Sequence, residues 1–252
     1  MEALKVEGLS KNFGALLALH NIRFTIEVGE RVAVIGPNGA GKTTLFNLLS
    51  GHLSAKTGRI YFLGRDITTM ATHRRVHLGL GRSFQVTNIF LNLTVLDNIL
   101  LALQGTQASR FQMFRPIMTY EHLSLKAENL LGLIDLWEKR DDIVKEIGYG
   151  EQRKLEIALS LASEPKLLLL DEPSSGLTAT ESAGLIDMLR NLGKDTTVLV
   201  VAHDMDLVFG LAERIIVLHY GELITEGTPE EIQADPRVKE IYMGIEQGSG
   251  NA

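Results

Sequence analysis

The chain has 252 residues, 45% hydrophobic and 22% charged, and no cysteine. That composition excludes intrinsic disorder, collagen and a disulfide scaffold, and the absence of thiols removes iron–sulfur clusters, cysteine-bound zinc and a thiolate nucleophile. A net charge of -6 argues against a protein that coats nucleic acid, and the opening MEALKVEGLSKNFG lacks a signal-peptide core, so the cytoplasm is the expected compartment.

In chain order, Ile22, Phe24, Ile26 and Val28 alternate with Arg23, Thr25 and Glu27, the period of a half-buried strand, and Gly29 with Glu30 turns it. RVAVIG, from Arg31 to Gly36, is continuously apolar and reads as a strand covered on both faces. From Lys42 to Ser50, Leu45, Leu48 and Leu49 share one helical face, and Gly51 stops the helix. Strand signals recur at RIYFLG, at KLLLL from Lys166, at TTVLVVA from Thr196 and at RIIVLH from Arg214, with amphipathic helices between the later ones. Between about Phe90 and Ser163 strand signals vanish, while Lys126 to Trp137 and Glu151 to Ala162 show helical spacing. The longest apolar stretch, Ile89 to Leu103, is broken by Asn92, Asp97 and Asn98 and falls short of the roughly 20 apolar residues of a bilayer span, so any membrane role is expected to be peripheral.

The second half therefore predicts an α/β fold with a parallel, buried sheet whose carboxyl ends carry the ligand loops. The first half begins with an antiparallel β ribbon, and a helical insertion lies between the two. The expected organisation is one domain over 1–244, with a core of about 1–88 and 164–244, a helical subdomain of about 89–163 and a flexible tail at 245–252.

GPNGAGKT, from Gly36 to Thr43, fits GxxxxGK[ST] between a predicted strand and a predicted helix. A polyphosphate must be held without side-chain bulk. Gly36, Gly39 and Gly41, with Pro37, Asn38 and Ala40 between them, let successive N–H groups turn inward as an anion nest, and the start of the next helix adds its positive end. Lys42 is placed to reach the β and γ oxygens, Thr43 to ligate Mg²⁺, and Thr44 to cap the same phosphates. The loop alone leaves kinase, GTPase and motor ATPase open. KLLLLDEP ends a buried strand in Asp171 and Glu172, two acids with two jobs: Asp171 to hold Mg²⁺ through its waters, Glu172 to orient and deprotonate the attacking water. The expected class is a P-loop NTPase of RecA-like core that binds a nucleoside triphosphate with Mg²⁺.

With these motifs in place, the chain resembles the ATP-binding subunits of ABC transporters from about Leu4 to Gly244. Gln85 in GRSFQ is similar to the Q-loop glutamine, which in that family senses Mg²⁺ and the γ-phosphate and links them to the membrane partner. His203 in VVAHD is similar to the switch histidine that meets the γ-phosphate, and Phe13 in KNFG to the aromatic that stacks on adenine. IGYGEQRKLEIALSLA, from Ile147 to Ala162, resembles the family signature; Gly148, Tyr149, Gly150 and Glu151 open its helix. The resemblance implies that this segment closes in trans on the triphosphate held by a second nucleotide-binding subunit, in a homodimer or a heterodimer. Two departures stand out: Ile147 and Gly148 where the family commonly has Leu and Ser, and Thr178 in SSGLT where Asp is common. The missing hydroxyl removes a bond to a charged phosphate worth about 1.5–3 kcal/mol, which predicts a weaker closed dimer.

The resemblance also implies transmembrane permease subunits on the cytoplasmic face of the inner membrane and, for an importer, indirectly a substrate-binding protein; no nucleic acid is expected. Val86, Ile89, Phe90, Leu91 and Leu93 follow Gln85 and read equally as a docking groove or as core. His73, Arg74, Arg75, His77 and Arg82 read as a solvated basic face. GRSFQ, YGEQRKLEIA, HDMDLVF and GTPEEIQADPRVKEIYMG fit the branched-chain amino-acid importer ATPases best, with urea import and lipopolysaccharide export as alternatives. A non-transport ABC ATPase is disfavoured because no sustained heptad pattern fills the stretch from Thr43 to Asp171. A nucleotide-dependent binding module with poor hydrolysis is the other rival.

Overall fold

The computed structural model describes residues 1–83, 89–106 and 121–248. Its order is β1 (Glu2–Phe13), β2 (Leu16–Glu27), β3 (Arg31–Ile35), α1 (Lys42–Ser50), β4 (Thr57–Phe62), β5 (Arg65–Asp66), α2 (Thr72–His77), β6 (Leu80–Arg82), α3 (Val95–Thr106), α4 (Glu121–Leu133) and α5 (Tyr149–Leu161). Then follow β7 (Leu167–Asp171), α6 (Ala179–Arg190), β8 (Thr197–Val201), α7 (Met205–Leu211), β9 (Arg214–His219), β10 (Glu222–Gly227), α8 (Pro229–Ala234) and α9 (Pro236–Gly248).

Two sheets carry the architecture. An antiparallel sheet runs β2-β1-β4-β5, and a six-stranded sheet runs β10-β9-β3-β8-β7-β6, parallel except for the β9–β10 hairpin. The central strands of the second sheet read as unbroken apolar runs because both faces are buried, each on a different core. Ala33, Ile35, Leu168, Leu170, Val198 and Val200 face a core built with helices α3 to α7. Val32, Val34, Leu167, Leu169, Leu199 and Val201 face a second core shared with α1 and the antiparallel sheet. The period of two thus survives as a choice of core instead of a choice between core and water. Helix α1 is consequently clamped between two sheets by Leu45, Phe46, Leu48 and Leu49, which fixes the loop at its start.

The fold class is the expected one. Strand β2 starts at Leu16, six residues before the alternation becomes legible, because Leu16 and Leu17 are exposed and Asn21 breaks the pattern at positive φ. The short β6 and the edge strand β10 carry too little apolar signal to be read from sequence. Among the described residues of 89–163 there is an isolated bridge, Thr94 to Ile143, but no named strand.

Two of the basic residues read as a solvated face turn inward instead, Arg75 fully and Arg82 largely, and this corrects that expectation. Arg75 is 1% exposed, and its guanidinium donates to the carbonyls of Leu48 and Leu49 at 2.8 and 2.6 Å and to those of Met70 and Thr68. It satisfies the orphan carbonyls at the end of α1, a task suited to a planar five-donor fork, and burial pulls its pKa down to about 10. Arg82 is the second, and it belongs to the active site.

Candidate active site

The site begins where β3 runs into Gly36. A Cβ at Gly36 would overlap the Leu218 carbonyl, and one at Gly41, where φ is 102°, would sit 2.7 Å from both the Ala18 oxygen and Leu19 Cδ2. Only glycine lets the loop lie this close to β2 and to the β9–β10 turn. The Gly221 N–H donates to the Ala40 carbonyl at 3.1 Å and the Ala40 N–H to Pro37 at 3.1 Å, closing the curl. Inside it Lys42, 8% exposed, donates its ammonium to the carbonyls of Gly36 at 2.6 Å and Pro37 at 3.0 Å. Burial lowers the Lys42 pKa, and the carboxylates of Glu172 and Asp171 pull the other way. The first turn of α1 carries no acid, so nothing there opposes the helix's positive end.

In front of this loop lies a groove of about 320 Å³ with two chemistries. One end is apolar: Phe13, Leu16 and Leu17 flank the β1–β2 turn, and Phe13 is 46% exposed with Lys11 Nζ 5.3 Å from its ring centre. Residues Asn38 to Thr44 and Glu172 line the other end. An apolar shelf joined to an anion nest fits a flat base carrying a phosphate chain. Leu16 and Leu17 went unrecognised in the sequence because only the turn brings them beside Phe13.

The two acids occupy different environments, as their expected roles require. Asp171 ends β7 in register with Val201 of β8 and is 1% exposed. Its Oδ2 lies 3.4 Å from Arg82 Nη2, while Oδ1 is buried without a partner. Burial raises its pKa, opposed by Arg82. A buried carboxylate oxygen without a partner suits a hard cation carrying its own water. Among the described residues no group of three or more His, Cys, Asp or Glu could hold an ion alone; hydroxyl, phosphate and water oxygens would have to complete the shell. Glu172 turns out of the sheet at φ 48°, its N–H held by the Val201 carbonyl at 2.8 Å, and its carboxylate Oε1 lies 3.5 Å from His203 Nδ1. His203 follows β8 and is largely exposed.

The structure brings together Phe13, the loop from Gly36 to Thr44, Asp171, Glu172 and His203. Gln85 and Val86 lie outside the described residues. Ser83, two residues before Gln85, has its N–H on the Leu169 carbonyl at 2.9 Å, so this segment leaves the sheet beside the Asp171 strand. Gly148, Tyr149, Gly150 and Glu151 do not line the groove.

Two arginines missed from sequence tie the site together. Arg82 joins Asp171 to α1, its Nη1 donating to Asn47 Oδ1 at 2.8 Å and Ser50 Oγ at 2.7 Å. Arg153, on α5, donates to the carbonyls of Asp171, Glu172 and Pro173 and pairs with Glu156 at 2.6 Å. The i,i+3 pairing of Arg153 with Glu156 was the available signal, but nothing in the sequence said that it was buried.

A nest for phosphates, a base shelf, a buried acid for a hydrated cation and a carboxylate with a neighbouring histidine define a nucleoside-triphosphate hydrolase of the P-loop class. Relatives give its family. A family model described as ABC transporter matches residues 19–175, and one described as branched-chain amino acid ATP-binding cassette transporter matches residues 222–246. The high-affinity branched-chain amino acid transport ATP-binding protein LivG of Salmonella typhimurium is 36% identical over 248 residues, 96% of this chain and 97% of that one. Its counterpart BraF of Pseudomonas aeruginosa is 35% identical over 255 residues, 96% and 97% of the two chains. The lipopolysaccharide export system ATP-binding protein LptB of Acidithiobacillus ferridurans is 33% identical over 244 residues, 96% and 97% of the two. Among solved structures, the ADP conformation of an ATP-binding cassette of an ABC transporter superposes with a TM-score of 0.84 at 30% identity, over 97% of this chain and 99% of that one. A bacterial ABC transporter cassette solved as a dimer gives 0.75 at 26% identity, over 90% and 98%.

The chain therefore belongs to the ABC transporter family, as one of its nucleotide-binding, ATP-hydrolysing subunits. No helix among its described residues is long and apolar enough to cross a membrane.

Proposed function

We propose that this subunit powers a branched-chain amino-acid importer by Mg²⁺-dependent ATP hydrolysis, working as one of a pair that closes around ATP on the cytoplasmic face of the membrane. The observation that carries the hydrolytic part is the placement of Glu172 and His203 at the carboxyl ends of adjacent strands, with Glu172 lining the groove beside the phosphate loop. The branched-chain assignment is supported by the match over residues 222–246, which span β10, α8 and most of α9, and by the LivG and BraF relatives.

In this reading Phe13 stacks on the base, the loop N–H groups from Gly36 to Thr44 hold the phosphates, and Lys42 exchanges its carbonyl partners for phosphate oxygens. Thr43, Asp171 and Gln85 are the residues that would hold Mg²⁺, which would supply charge neutralisation for the phosphates. Glu172 aligns a water for in-line attack and takes its proton, and His203 orients Glu172 and the γ-phosphate. Gly148, Tyr149, Gly150 and Glu151 meet the partner's γ-phosphate and complete its site in trans.

The helical stretch 89–163 delivers that signature as part of a single domain over 1–244. The exposed Phe90 and Leu91, next to Gln85 in sequence, supply the contact with transmembrane permease subunits, while Ile89 packs into the core. A substrate-binding protein delivers the cargo on the far side.

Two measurements test this. The chain isolated from its native membranes is expected to carry polytopic permease proteins, and vesicles holding that assembly are expected to take up leucine only with Mg²⁺ and ATP. Uptake of no branched-chain amino acid, with lipopolysaccharide or urea moved instead, would reassign the cargo; ribosomes or DNA in place of permeases would remove the transport reading.

A further inference from the structure

The signature segment that the proposed mechanism offers to a partner's phosphate is already engaged within its own chain. The Glu181 carboxylate, from the first turn of α6, packs directly on Gly150 in the first turn of α5. The fit is close, because a Cβ built on Gly150 would overlap Glu181 Oε1. Glu181 is held in that pose by Thr178: its Oε2 accepts from the Thr178 N–H at 2.8 Å and from Thr178 Oγ1 at 2.8 Å, and Thr178 Oγ1 accepts in return from the Glu181 N–H at 3.3 Å. This capping box explains the departure at position 178. Threonine can donate to the carboxylate, whereas aspartate there would repel it. The same two segments touch again where the Tyr149 hydroxyl donates to the Ser175 carbonyl at 3.3 Å and the Tyr149 ring covers Gly176. One residue further on, Glu151 takes the Gly148 N–H at 3.0 Å.

We propose that Glu181 is a positioning residue that sets the ATP threshold for closure: its carboxylate covers Gly150 in cis, as an internal stand-in for the partner's γ-phosphate, until that phosphate displaces it. A carboxylate and a phosphate oxygen seek the same donor at a helix N-terminus, and two anions cannot share it. Lys154, one turn along α5, is the cation that acts on Glu181 and receives it once it is displaced. The same move would pull on Thr178 and the segment before it, so that engagement of the signature is transmitted to the loop that follows Glu172 in the same subunit.

The proposal rests on the in-trans reading of the signature, and the test separates the two. Full-length chain carrying Glu172→Gln is titrated with Mg-ATP, and dimer is followed by light scattering, with and without Glu181→Gln. Glutamine keeps the capping box through its carbonyl oxygen but removes the charge at Gly150. The ATP concentration for half-maximal dimer is expected to fall roughly tenfold with Glu181→Gln, because the competing negative charge at the start of α5 is gone, while the affinity of the monomer for fluorescent ATP stays constant.

Glu181→Ala, which also weakens the cap, is expected to lower the midpoint in the same direction while melting earlier; a role in stability alone would instead weaken its dimer. If Glu172→Gln dimerises but Glu181→Gln leaves the midpoint unchanged or raised, the proposal is wrong and the in-trans reading stands. Failure of Glu172→Gln to dimerise with ATP at any concentration removes both.

Discussion

At the scale of the residue, the proposed function gives Lys42 and Glu172 separate tasks, binding for the first and activation of water for the second. Lys42 is stored against the carbonyls of its own loop, so the loop is curled before a nucleotide arrives and little reorganisation is needed on binding. Lys42→Ala is expected to abolish ATP binding in a fluorescence titration, while Glu172→Gln should retain binding and lose about 10²- to 10⁴-fold in turnover, the usual worth of a positioned general base. Gly41→Ala should behave like Lys42→Ala, because its Cβ meets the Ala18 oxygen and Leu19. If Glu172→Gln kept full turnover, the assignment of the base would fail. Walker-type residues were legible here because phosphate chemistry fixes both residue type and spacing. Leu16, Leu17 and Arg82 were not, since the first two act only through a turn and the third only through a neighbouring strand.

At the scale of the element, the helix that carries the signature is anchored to the strand that carries the acids. Arg153 spends its guanidinium on the carbonyls of Asp171, Glu172 and Pro173 and on Glu156, and both charged groups are almost fully buried. Arg153→Ala should destabilise the chain by about 3–5 kcal/mol in urea unfolding, because it strands the Glu156 carboxylate, and Glu156→Ala added to it should recover part of the loss. An additive double mutant would mean that the two charges are not coupled.

Helix α9 offers a test in pH. Hydrogen bonds from Arg237 hold the Asp235 carboxyl down to about 2. A depressed acid stabilises fully above its ordinary range near 3.8 and loses that contribution as pH falls towards 2. Arg237→Ala should return the Asp235 titration, followed by NMR, towards 3.8, and a midpoint that stays near 2 would refute the cause given. Helix existence was readable from periodicity, but limits shifted: α4 covers Glu121–Leu133 where the spacing suggested 126–137, since Asp135 takes a positive φ and ends the regular turn.

At the scale of the whole molecule, two cores share one sheet, and the active site sits at the carboxyl ends of the strands between them. The core with α1 fixes the phosphate loop, and the core with α3 to α7 fixes the signature helix; Arg82 and Arg153 reach Asp171 from the two sides. Arg153 thus ties helix α5 to the backbone carbonyls of Asp171, Glu172 and Pro173. Gly148→Ser, which restores the hydroxyl common in the family, is expected to lower the ATP concentration needed for dimer by roughly tenfold or more; unchanged dimerisation and ATPase would show that the backbone alone meets the phosphate.

The sequence by itself determined the chemistry and the class of fold: phosphate loop, carboxylate pair, strand and helix periods, and the order in which they come. These are local properties, set by side-chain size, backbone freedom and repeat length over a few residues. Tertiary structure alone decided that Arg75 is buried, that Arg82 turns in to Asp171, and that Leu16 and Leu17 join Phe13 in lining the groove. It also decided that Arg153 grips the carbonyls after β7 and that Glu181 packs on Gly150. Each of these depends on burial or on a partner distant in the chain, and a carbonyl or carboxylate brought there by folding leaves no periodic mark along the sequence.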